Sequence, residues 1–260
     1  MVHLQGKECA GLRELFAHTT DTCVLTVTQG HMGEAWVDDA LCPRCGKIVL
    51  GDFCFFDGDA SLPQARELVT HLPEGRPFLE WYLVGSSESW NQLIEAVWGE
   101  QAEAFTRYAI KKEGDCFDRE KLQSFAKNLP NGYTIRKIDG DLYDQAMEKP
   151  WSWDACIQFQ DKEDYLKRGL GFGVVCDDRL VAQASSYSIY DKGLEITIST
   201  HPEHRRRGLA KAVVSTLILA ALEKGWYPSW DARTLISVRL SEQLGYHLDR
   251  PYRTYCIKNK

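Results

Sequence analysis

A strand, a basic turn and a long apolar helix follow one another between Leu194 and Lys224, and this order constrains the fold more than any other stretch. Alternating polar and apolar side chains at 195–200 predict a β-strand that ends before Pro202. Apolar residues then recur at helical spacing, and Gly225 is a typical stop beyond a helix C-terminus. Three arginines and Gly208 lie between the two elements. Because a helix N-terminus offers unpaired N–H groups and the positive end of its dipole, this turn predicts a site for an anion such as a pyrophosphate.

This stretch resembles the acetyl-CoA loop of the GNAT N-acetyltransferase superfamily. The family pattern is an apolar-x-apolar-x-Pro strand end followed by Arg/Gln-x-x-Gly-x-Gly/Ala. The positions that match it here are Ile198, Thr200, Pro202, Arg205, Gly208 and Ala210, with Thr200 in place of the usual valine. The alternative is a basic turn that caps a surface helix. The resemblance covers residues 130–260 and implies an α/β fold with a mixed, mostly antiparallel sheet flanked by helices.

The resemblance also implies which residues hold acetyl-CoA, the expected co-substrate. Backbone groups at the strand end would hold the pantetheine arm and the thioester carbonyl, and those of the turn would hold the pyrophosphate. The predicted cofactor-binding residues are Ile198, Ser199, Thr200, Arg205, Arg206, Arg207, Gly208, Leu209 and Ala210.

Direct acetyl transfer needs a base for the acceptor amine, and it is helped by an acid for the leaving thiolate. Glu195 is the candidate base, since several GNAT enzymes place a carboxylate on this strand. Its alternative is an exposed glutamate on an outward side of the strand. The family often uses a tyrosine as acid, but the matching position here is Ser241, four residues before Gly245. Ser241 and Tyr246 are therefore the candidate acids, with Tyr252, Tyr255 or a water as further alternatives.

The 260 residues suit two domains better than one. We predict an N-terminal α/β domain at 1–114, a connecting segment at 115–130 with Asp118 capping a short helix, and the GNAT domain at 131–260. The first half has the element order of a GNAT domain but no Arg-x-x-Gly-x-Ala loop. It is either a degenerate GNAT-like half without a cofactor site or an unrelated α/β domain.

Local patterns predict several further elements. Residues 22–30 and 47–56 each read as one strand, and Ser61 reads as the N-cap of a helix over 61–71. Three consecutive strands between Gly171 and Thr200 are predicted to turn at 177–178 and 191–193.

Composition and charge exclude several classes of function. The formal net charge of −6 argues against general nucleic-acid binding, and no apolar run is long enough for a membrane span. The N-terminus has no signal-peptide pattern, so a cytoplasmic protein is expected. Nine cysteines at irregular intervals read as free thiols. Cys42 and Cys45 form a zinc-type knuckle, but no second ligand pair follows them, so no bound metal is expected.

Two functional hypotheses follow. The first is an N-acetyltransferase that moves an acetyl group from acetyl-CoA to an amine of a small molecule, with no nucleic acid or membrane partner. The second is a non-catalytic acetyl-CoA-binding regulatory or interaction protein, which the missing tyrosine keeps open. A homodimer is compatible with the sequence. The arrangement of the halves and the motifs SWDA and LGY are also similar to a bacterial GNAT subgroup that includes the zwittermicin A resistance acetyltransferase.

Overall fold

The structure is a computed structural model that describes residues 1–258. These residues form two compact units. Unit 1 contains Met1–Arg107 together with the C-terminal segment from Pro251, and unit 2 contains Tyr108–Arg250. Each unit is mixed α/β, with a mostly antiparallel sheet flanked by helices, as the sequence predicted.

The strands, in chain order, are Val2–Gln5 (β1), Glu34–Val37 (β2), Cys45–Leu50 (β3), Phe53–Gly58 (β4), Glu80–Gly85 (β5), Glu103–Ile110 (β6), Thr134–Lys137 (β7), Gly171–Cys176 (β8), Arg179–Tyr190 (β9), Gly193–Thr200 (β10), Tyr227–Ser229 (β11), Asp231–Ala232 (β12) and Leu248–Lys258 (β13). The α-helices are Thr22–Thr28 (α1), Pro63–Thr70 (α2), Glu88–Trp98 (α3), Arg119–Lys127 (α4), Gly140–Met147 (α5), Lys162–Arg168 (α6), Leu209–Glu223 (α7) and Leu235–Gln243 (α8). Short 3-10 helices lie at Gly6–Arg13, Gly99–Gln101, Trp153–Ala155 and Pro202–His204.

In unit 1 the strands lie in the order β1-β2-β3-β4-β5-β13-β6. β4 and β5 are parallel, and their register runs without a break from Phe53↔Tyr82 to Phe56↔Gly85. Backbone bonds extend the pairing at both ends, from Tyr82 N to Asp52 O at 2.7 Å and from Ser86 N to Phe56 O at 3.0 Å. This parallel pair is therefore closed along its whole length.

Three local predictions in unit 1 are wrong. Residues 22–28 are a helix rather than a strand. Asp21 caps its first turn, and the Thr26 hydroxyl bonds to the carbonyl of Thr22, four residues back, at 2.8 Å. These bonds and burial of the helix in unit 1 override the strand preference of its β-branched residues.

The other two corrections concern a turn and a cap. Residues 47–56 form two strands, because Gly51 adopts a φ of +58° and turns the chain between β3 and β4. Ser61 does not cap α2: its hydroxyl bonds to Asp59 at 2.6 Å, and Leu62 occupies the N-cap position.

In unit 2 the sheet order is β11-β10-β9-β8-β7, and β8, β9 and β10 form the predicted antiparallel meander. Asp177 and Asp178 make the first turn with φ values of 48° and 59°. Helix α7 packs against β8, β9 and β10 and also contacts α4. Asp118 caps α4 as predicted, since its carboxylate accepts from Lys121 N at 3.0 Å.

No helix within residues 1–258 is long and apolar enough to cross a membrane. Over the same residues, no three or more His, Cys, Asp or Glu side chains are grouped so as to hold a metal ion. Cys42 is exposed, whereas Cys45 is buried at the start of β3, and burial raises the pKa of the Cys45 thiol to about 12.

Candidate functional site

Strand β10 loses one of its two neighbours halfway along its length. It pairs in parallel with β11 only from Gly193 to Glu195, and the last register pair is Glu195↔Ser229. The chain then leaves β10, and β12 pairs instead with the end of β6 at Asp231↔Ala109. From Ile196 to Thr200, β10 therefore keeps β9 on one side and has an open edge on the other. We call this open edge the strand gap.

The alternation of an antiparallel ladder shows which backbone groups face the strand gap. His201 N donates to Val181 O on β9 at 2.8 Å. By the alternation of the ladder, the backbone groups of Ser199 and Thr197 also face β9. The backbone groups of Ile198 and Thr200 therefore face the gap. The Arg205 Nε donates to Thr200 O at 3.2 Å, which agrees with this direction. The backbone of Ser199 faces β9 by the same alternation.

The turn after β10 brings the chain to the N-terminus of α7 in an unusual conformation. Arg206 has a φ of +61°, and Gly208, the N-cap of α7, has a φ of +80°. Gly208 has no side chain to satisfy the first N–H groups of the helix. A Cβ atom at Gly208 would meet nothing within 4 Å, so the space in front of this helix end is open. These are the properties of an anion site.

The arginines of the turn are exposed and also support its shape. Arg207 donates to the Tyr133 hydroxyl at 2.7 Å and to Glu203 O at 3.1 Å. The Tyr133 hydroxyl lies 3.0 Å from Nδ1 of His204 in the same turn. The arginines therefore hold the turn in place and bring positive charge to its open side.

Glu195 lies where the strand gap begins. The register of β10 against β9 shifts between Glu195 and Ile196, so a bulge marks this position. Glu195 is only 8% exposed, which is inconsistent with a solvated surface glutamate. The candidate base is thus a buried carboxylate at the closed end of the gap.

Both candidate acids are buried and donate within the fold. The Ser241 hydroxyl donates to Val238 O at 2.8 Å, and the Tyr246 hydroxyl donates to Pro228 O at 2.6 Å. Burial holds the pKa of Tyr246 well above its ordinary value. Neither residue presents a hydroxyl hydrogen to the strand gap in this arrangement.

The two further tyrosines lie in unit 1. Tyr252 accepts from Arg107 Nε at 3.2 Å, and Tyr255 donates to Glu95 at 2.6 Å.

The segment between α5 and α6 covers the face of the sheet beside the strand gap. Gln183 Nε2 donates to Ser152 O and, at 3.0 Å, to the Ser199 hydroxyl. Ser185 donates to Ala155 O at 2.7 Å. These buried polar residues of β9 were not among the predicted site residues. Their signal was the run QASSYS, where small polar side chains occupy a strand that is otherwise apolar.

Comparisons with known proteins show the family and the fold of this chain. The family model described as GNAT acetyltransferase matches residues 13–255. The GCN5-related N-acetyltransferase-like protein from Streptococcus suis 89/1591 is 36% identical, with a TM-score of 0.86 over 95% of this chain and 97% of that one. A tandem GNAT protein from the clavulanic acid biosynthesis pathway is 13% identical, with a TM-score of 0.57 over 96% of this chain and 94% of that one, which shows a shared fold.

An uncharacterized N-acetyltransferase, YdfB of Bacillus subtilis (strain 168), is 26% identical over 181 residues. The match covers 66% of this chain and 64% of YdfB, so the chain spans less than two thirds of that relative. The family match extends over both units, and the strand gap, the turn and the helix end lie within it. The chain belongs to the GNAT acetyltransferase family.

Proposed function

We propose that this protein transfers an acetyl group from acetyl-CoA directly to an amine of a small molecule. The observation that carries the proposal is the strand gap, which leads from the buried Glu195 to the open N-terminus of α7. The family match supports the reaction class, and the strand gap supports the choice of residues.

Each part of the site has a separate task. Backbone groups of Ile198 and Thr200 face the gap and would bind the pantetheine arm. The N–H groups from Arg205 to Ala210 would bind the pyrophosphate, helped by the helix dipole and the arginines. Acetyl-CoA supplies the activated acetyl group when it is bound there.

Glu195 is the proposed base of the reaction. Its carboxylate lies at the end of the gap opposite the phosphate site, which is where the thioester of an extended cofactor would lie. A carboxylate at this position takes a proton from the amine as the amide bond forms. Ser199 would contact the cofactor through its side chain, because its backbone faces β9. We also propose that the chain belongs to the bacterial GNAT subgroup that includes the zwittermicin A resistance acetyltransferase.

A test is release of the CoA thiol from acetyl-CoA in the presence of ethanolamine, putrescine, phenethylamine, glucosamine or lysine. Acetylation of at least one amine is expected, and the product should be heavier than the amine by about 42 Da, the mass that an acetyl group adds. Calorimetry with coenzyme A gives cofactor binding independently of turnover. Binding without transfer to any amine would favour the non-catalytic alternative, and absence of binding would contradict both.

A further inference from the structure

Three polar side chains lie next to one another across the closed end of the strand gap. Ser188 on β9 and Ser229 on β11 are the register partners of Glu195 on its two sides. Register partners in a sheet present their side chains to the same face. Ser188 is 0% exposed and Ser229 is 1% exposed. Ser229 is also the last paired residue of β11, so its hydroxyl lies where the gap opens.

Tyr190 reaches across the sheet to this serine. Its hydroxyl lies 3.0 Å from the Ser229 hydroxyl and 3.2 Å from Tyr227 O. The ring crosses β10 at Gly193, where a Cβ atom would collide with it. The missing side chain at Gly193 therefore allows this contact, two residues before Glu195 and on the same face.

The two hydroxyls can share hydrogens in two ways. When Tyr190 donates to Tyr227 O, its oxygen accepts from Ser229. When Tyr190 donates to Ser229, the serine hydrogen is released and can point into the gap. Burial, with the charge of Glu195 contributing, raises the pKa of Tyr190 to about 12, so Tyr190 stays a protonated hydroxyl in either arrangement.

We infer that Ser229 is a catalytic residue that carries a proton from Glu195 to the departing sulfur, and that Tyr190 is the residue that positions it. The inference rests on the proposed function, which puts the thioester in the strand gap. The Ser241 and Tyr246 hydroxyls donate to the backbone carbonyls of Val238 and Pro228 and not into the strand gap. Ser229 has its hydroxyl at the closed end of the gap.

The proton balance closes without a further reactant. The amine nitrogen forms a bond to the acetyl carbon, and its proton goes to the Glu195 carboxylate. The carbon–sulfur bond breaks with its electron pair on sulfur. Ser229 gives its hydroxyl proton to that sulfur and takes the proton from Glu195. Both residues return to their starting state, and the products are an amide and a thiol.

The test compares Ser229→Ala and Tyr190→Phe with the unchanged chain in full-length protein. Ser215→Ala is the matched control, because Ser215 is equally buried but bonds to Lys211 O within α7. The probe reaction is transfer to the fastest amine of the panel. If no amine reacts, the probe is the slow release of CoA thiol from acetyl-CoA with water as acceptor. The readouts are kcat, KM, the solvent deuterium isotope effect on kcat and coenzyme A affinity by calorimetry.

Ser229→Ala should lower kcat by roughly 100-fold with coenzyme A affinity unchanged within about twofold, and should change the solvent isotope effect. Tyr190→Phe should lower kcat by about tenfold and shift the same isotope effect, which loss of packing alone would not do. Ser215→Ala should leave all readouts unchanged.

Turnover within about threefold of normal in folded Ser229→Ala, or an unchanged isotope effect, would overturn the inference and leave the proposed function standing. Loss of coenzyme A affinity in Ser229→Ala would make it a binding residue and also overturn the inference. If the unchanged protein does not bind coenzyme A or release thiol, the proposed function fails and this inference fails with it.

Discussion

At the scale of single residues, the proposed base Glu195 lies apart from the residues proposed to bind the cofactor. It lies at the closed end of the strand gap, five residues before Thr200, the last residue of β10. A change of its chemistry should affect proton transfer without touching the groups proposed to hold the cofactor.

Glu195→Gln should lower kcat by roughly 100-fold or more, because the amide keeps the shape but cannot accept a proton. Coenzyme A affinity should stay within about twofold. Steady-state kinetics and calorimetry give the two quantities. Glu223→Gln, at the exposed end of α7, is the control and should have no effect. If Glu195→Gln keeps the full rate over the range from about pH 6 to about pH 9, Glu195 is not the base, and Asp231 or a water takes its place as the candidate.

The role proposed for Gly208 is in cofactor binding rather than in proton transfer. Gly208→Glu should abolish coenzyme A binding in calorimetry, since the new side chain brings bulk and negative charge to the helix end. Gly225→Glu is a matched control at the other end of α7. Gly225 has a φ of +71°, and a Cβ atom there would also meet nothing within 4 Å. Both variants carry the same backbone strain, so unchanged affinity in folded Gly208→Glu protein would contradict the assignment of the cofactor site.

At the scale of elements, a buried lysine joins a strand to a helix end in unit 1. Lys47 of β3 is 0% exposed, donates to the backbone carbonyl of His71 at the C-cap of α2 and lies over the Trp36 ring. A cation at a helix C-terminus is favourable, and a tryptophan face adds to this. Burial nevertheless dominates and lowers the pKa of Lys47 from 10.5 to about 8.

This shift predicts how stability depends on pH. The folded pKa lies below the unfolded one, so between pH 8 and 10.5 the unfolded chain binds more protons than the folded chain. Stability contributed by this group therefore rises with pH as the folded lysine loses its proton. Relative to Lys47→Met, the free energy of unfolding should rise by about 1 kcal/mol from pH 7 to pH 9.

Urea denaturation of both proteins at the two pH values measures this difference. The window ends at pH 9 because Cys54, beside Lys47, titrates above it with its pKa raised to about 12 by burial. A difference between the two proteins that stays constant from pH 7 to pH 9 would show that Lys47 keeps an ordinary pKa.

At the scale of the whole molecule, both units contain a parallel strand pair joined by a helix, but only one pair is open. β10 and β11 separate after Glu195, whereas β4 and β5 stay paired through Phe56↔Gly85. At the end of β4, the carboxylate of Asp57 accepts from Ser86 and from Gly58 N. A carboxylate near the end of a strand is unfavourable for a phosphate.

One coenzyme A per chain should therefore bind in calorimetry of the full-length protein. The titration of Gly208→Glu protein should show no residual binding, because its change lies in unit 2 and the parallel strands β4 and β5 of unit 1 stay paired along their whole length. A stoichiometry of two, or a second weaker isotherm that survives in the Gly208→Glu protein, would place a site in unit 1.

The sequence by itself determined the strand, turn and helix from Leu194 to Lys224, because their signals are local: alternation, proline, glycine and helical spacing. It also determined the meander before them and the positions of Gly208 and Asp118. The strand gap does not follow from such local signals, since the pairing of β12 with β6 joins residues more than 100 positions apart.

Tertiary structure alone decided which side chains meet at the closed end of the gap. Ser229 lies beside Glu195 and Tyr190 reaches it over Gly193, and both contacts depend on register between strands that are distant in sequence. Burial in unit 1 likewise made a helix of residues 22–28, whose β-branched composition favours a strand. Local chemistry fixes what a short segment prefers, whereas register and burial depend on the whole chain.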